Sequence, residues 1–334
     1  MSISAFLHEC ISSPLSGAVV LIVLGVLFVN GWTDAPNAIA AGISTGAMTM
    51  KQGVALATVM NLLGGSSALL LGQKVAETVG HLGTFSPDAR GTCALAASLL
   101  AVILWAVAAW YFGIPTSESH GLMAGIMGGA FALGAGGVSL SAFLKIIVGL
   151  VFSVGFGFLG GWIFSKWFQR LPDRPRLWLN GQRFSAALMA FAHGLQDTPK
   201  FAAILFLSRS LGNATAAPLP LWGMILCSGV MGLGTLFGGG RIIRRVGSEM
   251  VHIDRKEGFA ADLAGTLSLL LSTLQGLPVS TTHAKTCALM GAAMGKKEGF
   301  IDPKIARSMF LAWGLTFPAC GLLSFLLTEL FLLF

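Results

Sequence analysis

The chain has 334 residues, 54% hydrophobic and only 10% charged, where soluble domains carry about 25% charge. With a mean hydropathy of +0.79, that composition excludes a soluble fold of this length. The net charge of +7 is no nucleic-acid signature, because the bases sit in short segments between apolar runs. A spanning helix needs about 20 mostly apolar residues, so an all-α polytopic membrane protein of roughly ten spans is expected.

Taken in chain order, the apolar runs predict helices over 15–46, broken near Gly31–Pro36, then 53–72, 91–112, 120–137 and 141–168. A second set follows over 184–209, broken near Gly194–Pro199, then 218–238, 259–275, 283–295 and 304–333. The breaks are expected because proline removes an intrahelical hydrogen bond and glycine tolerates the dihedrals that follow. No Lys or Arg precedes Lys51, so the charged region of a cleavable signal is missing, and Pro14–Asn30 reads as the first span. The five cysteines are scattered without a CxxC pair and read as small apolar packers.

Two polar islands interrupt these runs, and each occurs twice. FVNGWTDAPN (28–37) is echoed by FAHGLQDTPK (191–200), with Phe28, Gly31, Asp34 and Pro36 recurring 163 residues later as Phe191, Gly194, Asp197 and Pro199. GIPTSESH (113–120) is echoed by GLPVSTTH (276–283), where Gly113, Pro115, Ser117 and His120 recur at the same offset as Gly276, Pro278, Ser280 and His283. The chain therefore reads as a duplication: a first repeat over 1–168, a linker over 169–183 and a second repeat over 184–334.

Loop charge orients it. Lys166–Arg183, the segment 241–257 and the group Lys296, Lys297 and Lys304 are basic and are expected in the cytoplasm, whereas Gln73–Arg90 is balanced. Five spans per half put both termini outside and give the halves inverted topology, with broken or re-entrant helices meeting at the midplane, as in secondary transporters.

Charges inside a membrane are costly and mark candidate sites. Ser117, Ser119, Ser280, Thr281 and Thr282 fall at or near helix N-termini, where free N–H groups, the dipole and hydroxyls favour a small oxyanion; their other reading is as ordinary N-caps. Asp34 and Asn37, like Asp197 and Lys200, are three residues apart and share a helix face. Asp197 and Lys200 can neutralise each other, but Asp34 has no base nearby in sequence. Two carboxylates and a phosphate leave more negative charge than Lys200 offsets in a low dielectric, so an anion should enter with Na⁺ or with protons. Glu118 fits a proton-coupling group, a cation ligand or a vestibule residue. His120, His283 and His193 read as helix packers rather than as ligands, and Lys285 could attract the anion or snorkel to the interface, the second being the preferred reading.

These motifs resemble those of the PiT family of inorganic phosphate transporters, with its duplicated GANDVANA-like signature and the Pro-x-Ser-Thr/Ser-Thr/Ser-His element after each copy. Here NGWTDAPNA (30–38), HGLQDTPK (193–200), IPTSESH (114–120) and LPVSTTH (277–283) stand in those places. The resemblance spans essentially the whole chain. It implies a helical inverted-repeat fold, a homodimer, and phosphate with its coupling cations held between the repeats. It also implies Ser117, Ser119, Ser280, Thr281 and Thr282 as phosphate donors, with Asn37, Lys200 and Gln196 beside them. Asp34, Asp197, Asn37, Thr33 and Gln196 are implied as coupling-cation ligands. Thr33 and Gln196 replace the usual Asn before each Asp, and Glu118 replaces a hydroxyl residue.

The function expected is symport of inorganic phosphate with Na⁺ or H⁺ across the cell membrane, with no organic cofactor and no metal beyond Na⁺. A sulfate permease of the same fold is the nearest alternative, disfavoured because phosphate can share a proton with Asp34 or Asp197 and sulfate cannot. An anion channel is disfavoured because the duplication builds one site per chain. An enzyme is disfavoured by the absence of HExxH and GxSxG motifs.

Overall fold

A computed structural model describes residues 2–134, 137–207, 220–237 and 239–333, which are helical apart from two isolated bridges. The first half runs α1 (Ile3–Ser12), α2 (Pro14–Thr33), α3 (Pro36–Ser44), α4 (Met50–Leu71), α5 (Gln73–Gly80), α6 (Ala89–Tyr111), α7 (Glu118–Ala132) and α8 (Leu140–Gln169). The second runs α9 (Pro175–Leu207), α10 (Leu221–Leu236), α11 (Gly240–Arg244), a π-type turn over Arg245–Glu249, α12 (Arg255–Gln275), α13 (Thr281–Gly295) and α14 (Pro303–Phe331). Among the described residues, five helical segments, α2 and α3 counted as one, are long and apolar enough to cross a membrane, six if the bent pair of α10 with Gly240–Glu249 is one span. The short helices α1 and α5 were not among the expected elements, and the expected helix ends at 208–209, 218–219 and 238 lie outside the described residues.

The first expected break is present. Asp34 N and Ala35 N both donate to Asn30 O, at 2.9 and 3.3 Å, and Pro36, which has no N–H, opens α3. The second is not: α9 continues through Pro199 for 33 residues and also takes in Pro175–Arg183, expected as linker. Pro175 starts α9 where a missing N–H costs nothing. Packing of α9 against α4, α12 and α5 carries the helix past Pro199.

The basic segments lie together on one face. Val251 bridges to Ile301, Lys256 Nζ lies 3.6 Å from Asp173, Lys296 Nζ donates to Asp254 at 3.2 Å, and Arg183 Nε donates to Ala47 O at 2.7 Å. On the opposite face, Gly83 bridges to Val138, and a cavity of about 560 Å³ is lined by Lys74, Glu77, Lys145 and Gly276 among others. Following the helices from these loops puts the starts of α1–α2 and the end of α14 on that opposite face.

Contacts repeat between the halves at the sequence offset. A Cβ on Gly128 would overlap Gly321 O, and 163 residues on, a Cβ on Gly291 would overlap the carbonyl of Phe158, the counterpart of Gly321. Gly31 and its counterpart Gly194 are both tight as well, a Cβ on the first overlapping Met231 O and one on the second Asn61 O, although these two partners are not related by the offset. Small residues at these positions let backbones touch, as membrane helices require. The exchanged Gly128–Gly321 and Gly291–Phe158 pairs are consistent with two structural repeats.

Candidate functional site

Helices α7 and α13 are 15 residues each, about 22 Å at 1.5 Å per residue, short of the ~30 Å hydrocarbon core. Each follows an extended Pro-containing stretch that brings its N-terminus inside the protein. Ser117 and Ser280 cap them, accepting from His120 N and His283 N at 3.2 Å in both cases. The two first turns meet, with the His120 and His283 rings 4.7 Å apart. Ser119, Thr281 and Thr282 follow the caps, and all three are buried.

Asp34 and Asp197 reach the same place from the α2–α3 break and from mid-α9. Asp34 accepts from Thr281 Oγ1 at 2.8 Å, from Asn37 Nδ2 at 3.0 Å and from Thr282 Oγ1. Asp197 accepts from Lys200 Nζ at 2.8 Å and from Asn30 Nδ2 at 3.3 Å. Lys200 Nζ also donates to Ser119 Oγ at 2.7 Å and Val279 O at 2.6 Å, so its three hydrogens are all engaged.

Part of the bonding is mirrored between the halves. Asn37 reaches Asp34 and Thr282, and its counterpart Lys200 reaches Asp197 and Ser119, the counterpart of Thr282. Asn30 faces Asp197, and its counterpart His193 faces Asp34. The chemistry is unequal, however: Lys200 offsets the charge of Asp197, while neutral Asn37 leaves Asp34 without a resident cation.

His193 supplies what the sequence reading missed. Its Nδ1 bonds Asn61 Oδ1 at 2.8 Å, and Nε2 lies 3.5 Å from Asp197 Oδ2 and 3.9 Å from Asp34 Oδ2. Asn61 Oδ1 can only accept, so Nδ1 carries a hydrogen, and in a neutral imidazole Nε2 would then point a lone pair at two carboxylates. That arrangement is repulsive until a proton or a metal ion occupies it. One ligand atom from each of Asp34, His193 and Asp197 lies within 4.8 Å of the others, close enough to hold one cation. The signal was available: Asn30 and His193 both precede their Asp by four residues, on the same helix face.

Glu118 is buried against Thr33, its Oε1 2.6 Å from Thr33 Oγ1, while Thr33 Oγ1 also lies 2.8 Å from Val29 O. One hydroxyl hydrogen serves only one of these oxygens; with it on Val29 O, a proton on Glu118 completes the pair. Glu118 Oε2 has no hydrogen-bond partner. Gln196 donates to Leu277 O at 2.9 Å and accepts from Thr273 Oγ1, so its amide ties the α12–α13 connection to α9. Lys285 does not snorkel: it is fully buried and paired with Asp262. One turn into α13, its stem is surrounded by protein, so the ammonium has no route to the interface.

The sequence pattern of the phosphate transporter family matches residues 30–181 and 170–324. A protein of Rhizobium meliloti (strain 1021) named "Probable low-affinity inorganic phosphate transporter" is 32% identical over 324 residues, covering 93% of this chain and 95% of the relative. A protein of the same name from Bacillus subtilis (strain 168) is 31% identical, covering 90% and 92%. The solved structure titled "The sodium-dependent phosphate transporter" superposes with a TM-score of 0.85 over 96% of this chain and 100% of that one, at 19% identity, and so shares its fold. The family and these relatives are transporters, not enzymes. On the whole-length match of pattern, relatives and fold, this chain is a multi-pass membrane protein belonging to the phosphate transporter family.

Proposed function

We propose that the protein is a secondary transporter that imports inorganic phosphate by symport with Na⁺ or H⁺ through the site between α7 and α13. One observation carries this reading: the hydroxyls best placed to hold an anion, Thr281 and Thr282, donate instead to Asp34, beside a carboxylate–imidazole cluster that lacks one positive charge. A cation arriving on Asp34, Asp197 and His193 neutralises the carboxylates and frees these hydroxyls. They then turn to the phosphate together with Ser119, Lys200 and the two helix N-termini. Asn37, whose Oδ1 has no hydrogen-bond partner among the described residues, completes the cation shell, with Thr33 and Gln196 flanking it. Ser117 and Ser280 fix the N-termini that face the anion. Neither ion is held well without the other, which is what coupling requires.

The basic face is the cytoplasmic one, following the positive-inside rule, and both termini lie outside. Phosphate then enters from the cavity beside Lys74 and Lys145, and alternating access moves it across a fixed midplane site. Radiolabelled phosphate uptake into proteoliposomes tests the reading. Uptake should require an imposed Na⁺ or proton gradient and should resist a tenfold excess of sulfate. Gradient-independent uptake would remove coupling, and full competition by sulfate would favour the sulfate permease.

A further inference from the structure

A second buried polar cluster lies between the site and the basic face. Lys285 stands one turn beyond Thr281 and Thr282 along α13, in the direction of the Lys296 segment. It pairs with Asp262 of α12, which also accepts from Gln182 Nε2 at 2.6 Å and Ser185 Oγ at 3.1 Å, both on α9. All four residues are fully buried. Along α9 they precede His193 and Asp197, with Met189 between the two clusters. Among the described residues Gln182 Oε1 has no hydrogen-bond partner.

The other half makes the equivalent packing without these charges. At the 163-residue offset, Asp262, Lys285, Gln182 and Ser185 correspond to Leu99, Leu122, Val19 and Ile22, all in one apolar cluster. The same packing is thus made of apolar side chains on the side facing away from the basic segments. Buried ion pairs are often no more stabilising than well-packed apolar residues, so stability is a weak account of why one half keeps the pair. The buried polar cluster is therefore present only on the side of the site nearer the basic segments.

We propose that Lys285 is a second anion station on the path from the midplane site to the basic face, closed at rest by Asp262 and opened when the departing anion replaces Asp262 on the lysine. This rests on the transport reading and orientation given above. While Asp262 holds Lys285, it clasps α9, α12 and α13 together. When the anion takes the lysine, Asp262 is left to Gln182 and Ser185 and the clasp loosens. The ligand is an oxyanion of the kind held at the midplane, reached by an ammonium donor one helical turn away.

The test replaces the pair by what the first half carries, Asp262→Leu with Lys285→Leu. Expected is a folded protein whose radiolabelled-phosphate binding in detergent stays within about threefold of the parent, while uptake into proteoliposomes falls by at least about tenfold, the equivalent of 1.4 kcal/mol. Parental uptake overturns the proposal. So does a double variant that fails to fold, which would show the pair to be structural. The exchanged pair, Asp262→Lys with Lys285→Asp, keeps the attraction but puts a carboxylate on the path. It should bind phosphate and transport poorly, and parental uptake there also overturns the proposal. If the unmodified protein took up no phosphate, the transport reading itself would fail instead.

Discussion

Removing the ammonium of Lys200 should destabilise the protein sharply and make its stability depend on added cation. Nζ lies 2.8 Å from Asp197 Oδ1, a separation at which unit charges attract by about 6 kcal/mol at an effective dielectric of ~20. Desolvation of the two ions cancels part of this, and breaking one side of a buried pair typically costs about 3–5 kcal/mol because the other charge is left alone. Lys200→Met would leave Asp197 uncompensated beside Asp34, and would strip a donor from Ser119 Oγ and Val279 O as well. Thermal unfolding in detergent, followed by fluorescence, should show the midpoint of Lys200→Met falling well below that of the parent. The midpoint should then climb more steeply than the parent's as Na⁺ is added or the pH is lowered. Asp197→Asn combined with Lys200→Met should recover most of the loss, since Asp197 then no longer carries an unpaired charge. A Lys200→Met protein as stable as the parent, or a double variant no better than the single, would refute this view of the Asp197–Lys200 pair.

Other outcomes follow from the same geometry. Asp34→Asn replaces an acceptor of three hydrogen bonds by a group that also donates, and phosphate uptake should fall by about 100-fold or more, the worth of roughly two strong hydrogen bonds, in a protein that still elutes as folded. Gly31→Ala drives a methyl into Met231 O and should cost about 1–3 kcal/mol, whereas Gly155→Ala, with open space around its Cβ, should be neutral by thermal shift. Glu118→Gln keeps a neutral side chain against Thr33 and should leave uptake at pH 6 within about threefold of the parent; a loss beyond about tenfold would show that the carboxylate works ionised. His193→Ala removes the only imidazole facing both carboxylates among the described residues and should weaken cation-dependent stabilisation more than folding itself.

Much of this was legible in the sequence because the chemistry is duplicated. The shared 163-residue offset marked Asp34 with Asp197, and the Ser117 and Ser280 elements, before any coordinates, and the structure brings all four islands together. What failed was local inference about single residues. Pro199 reads in the sequence as a break equivalent to Pro36, yet α9 runs through it, packed against α4, α12 and α5. Lys285 looked like a snorkelling base, because reach to the interface depends on which neighbours surround a side chain, and periodicity within one helix does not reveal them. Comparing the halves position by position would have flagged it, since Lys285 and Asp262 stand where the first half has Leu122 and Leu99. The roles of Gln196 and His193 needed partners from α12, α4 and α2, contacts with sequence separations no local pattern encodes.

A cation on the Asp34–Asp197–His193 cluster should release the Thr281 and Thr282 hydroxyls to phosphate. Equilibrium phosphate binding, titrated at a series of Na⁺ concentrations and again at a series of pH values, tests it most directly. Phosphate affinity should rise at least about tenfold with one of the two cations, with the reciprocal rise in cation affinity that linkage demands, and Asp34→Asn should abolish the dependence. Phosphate affinity that ignores both Na⁺ and pH in the unmodified protein would contradict the account.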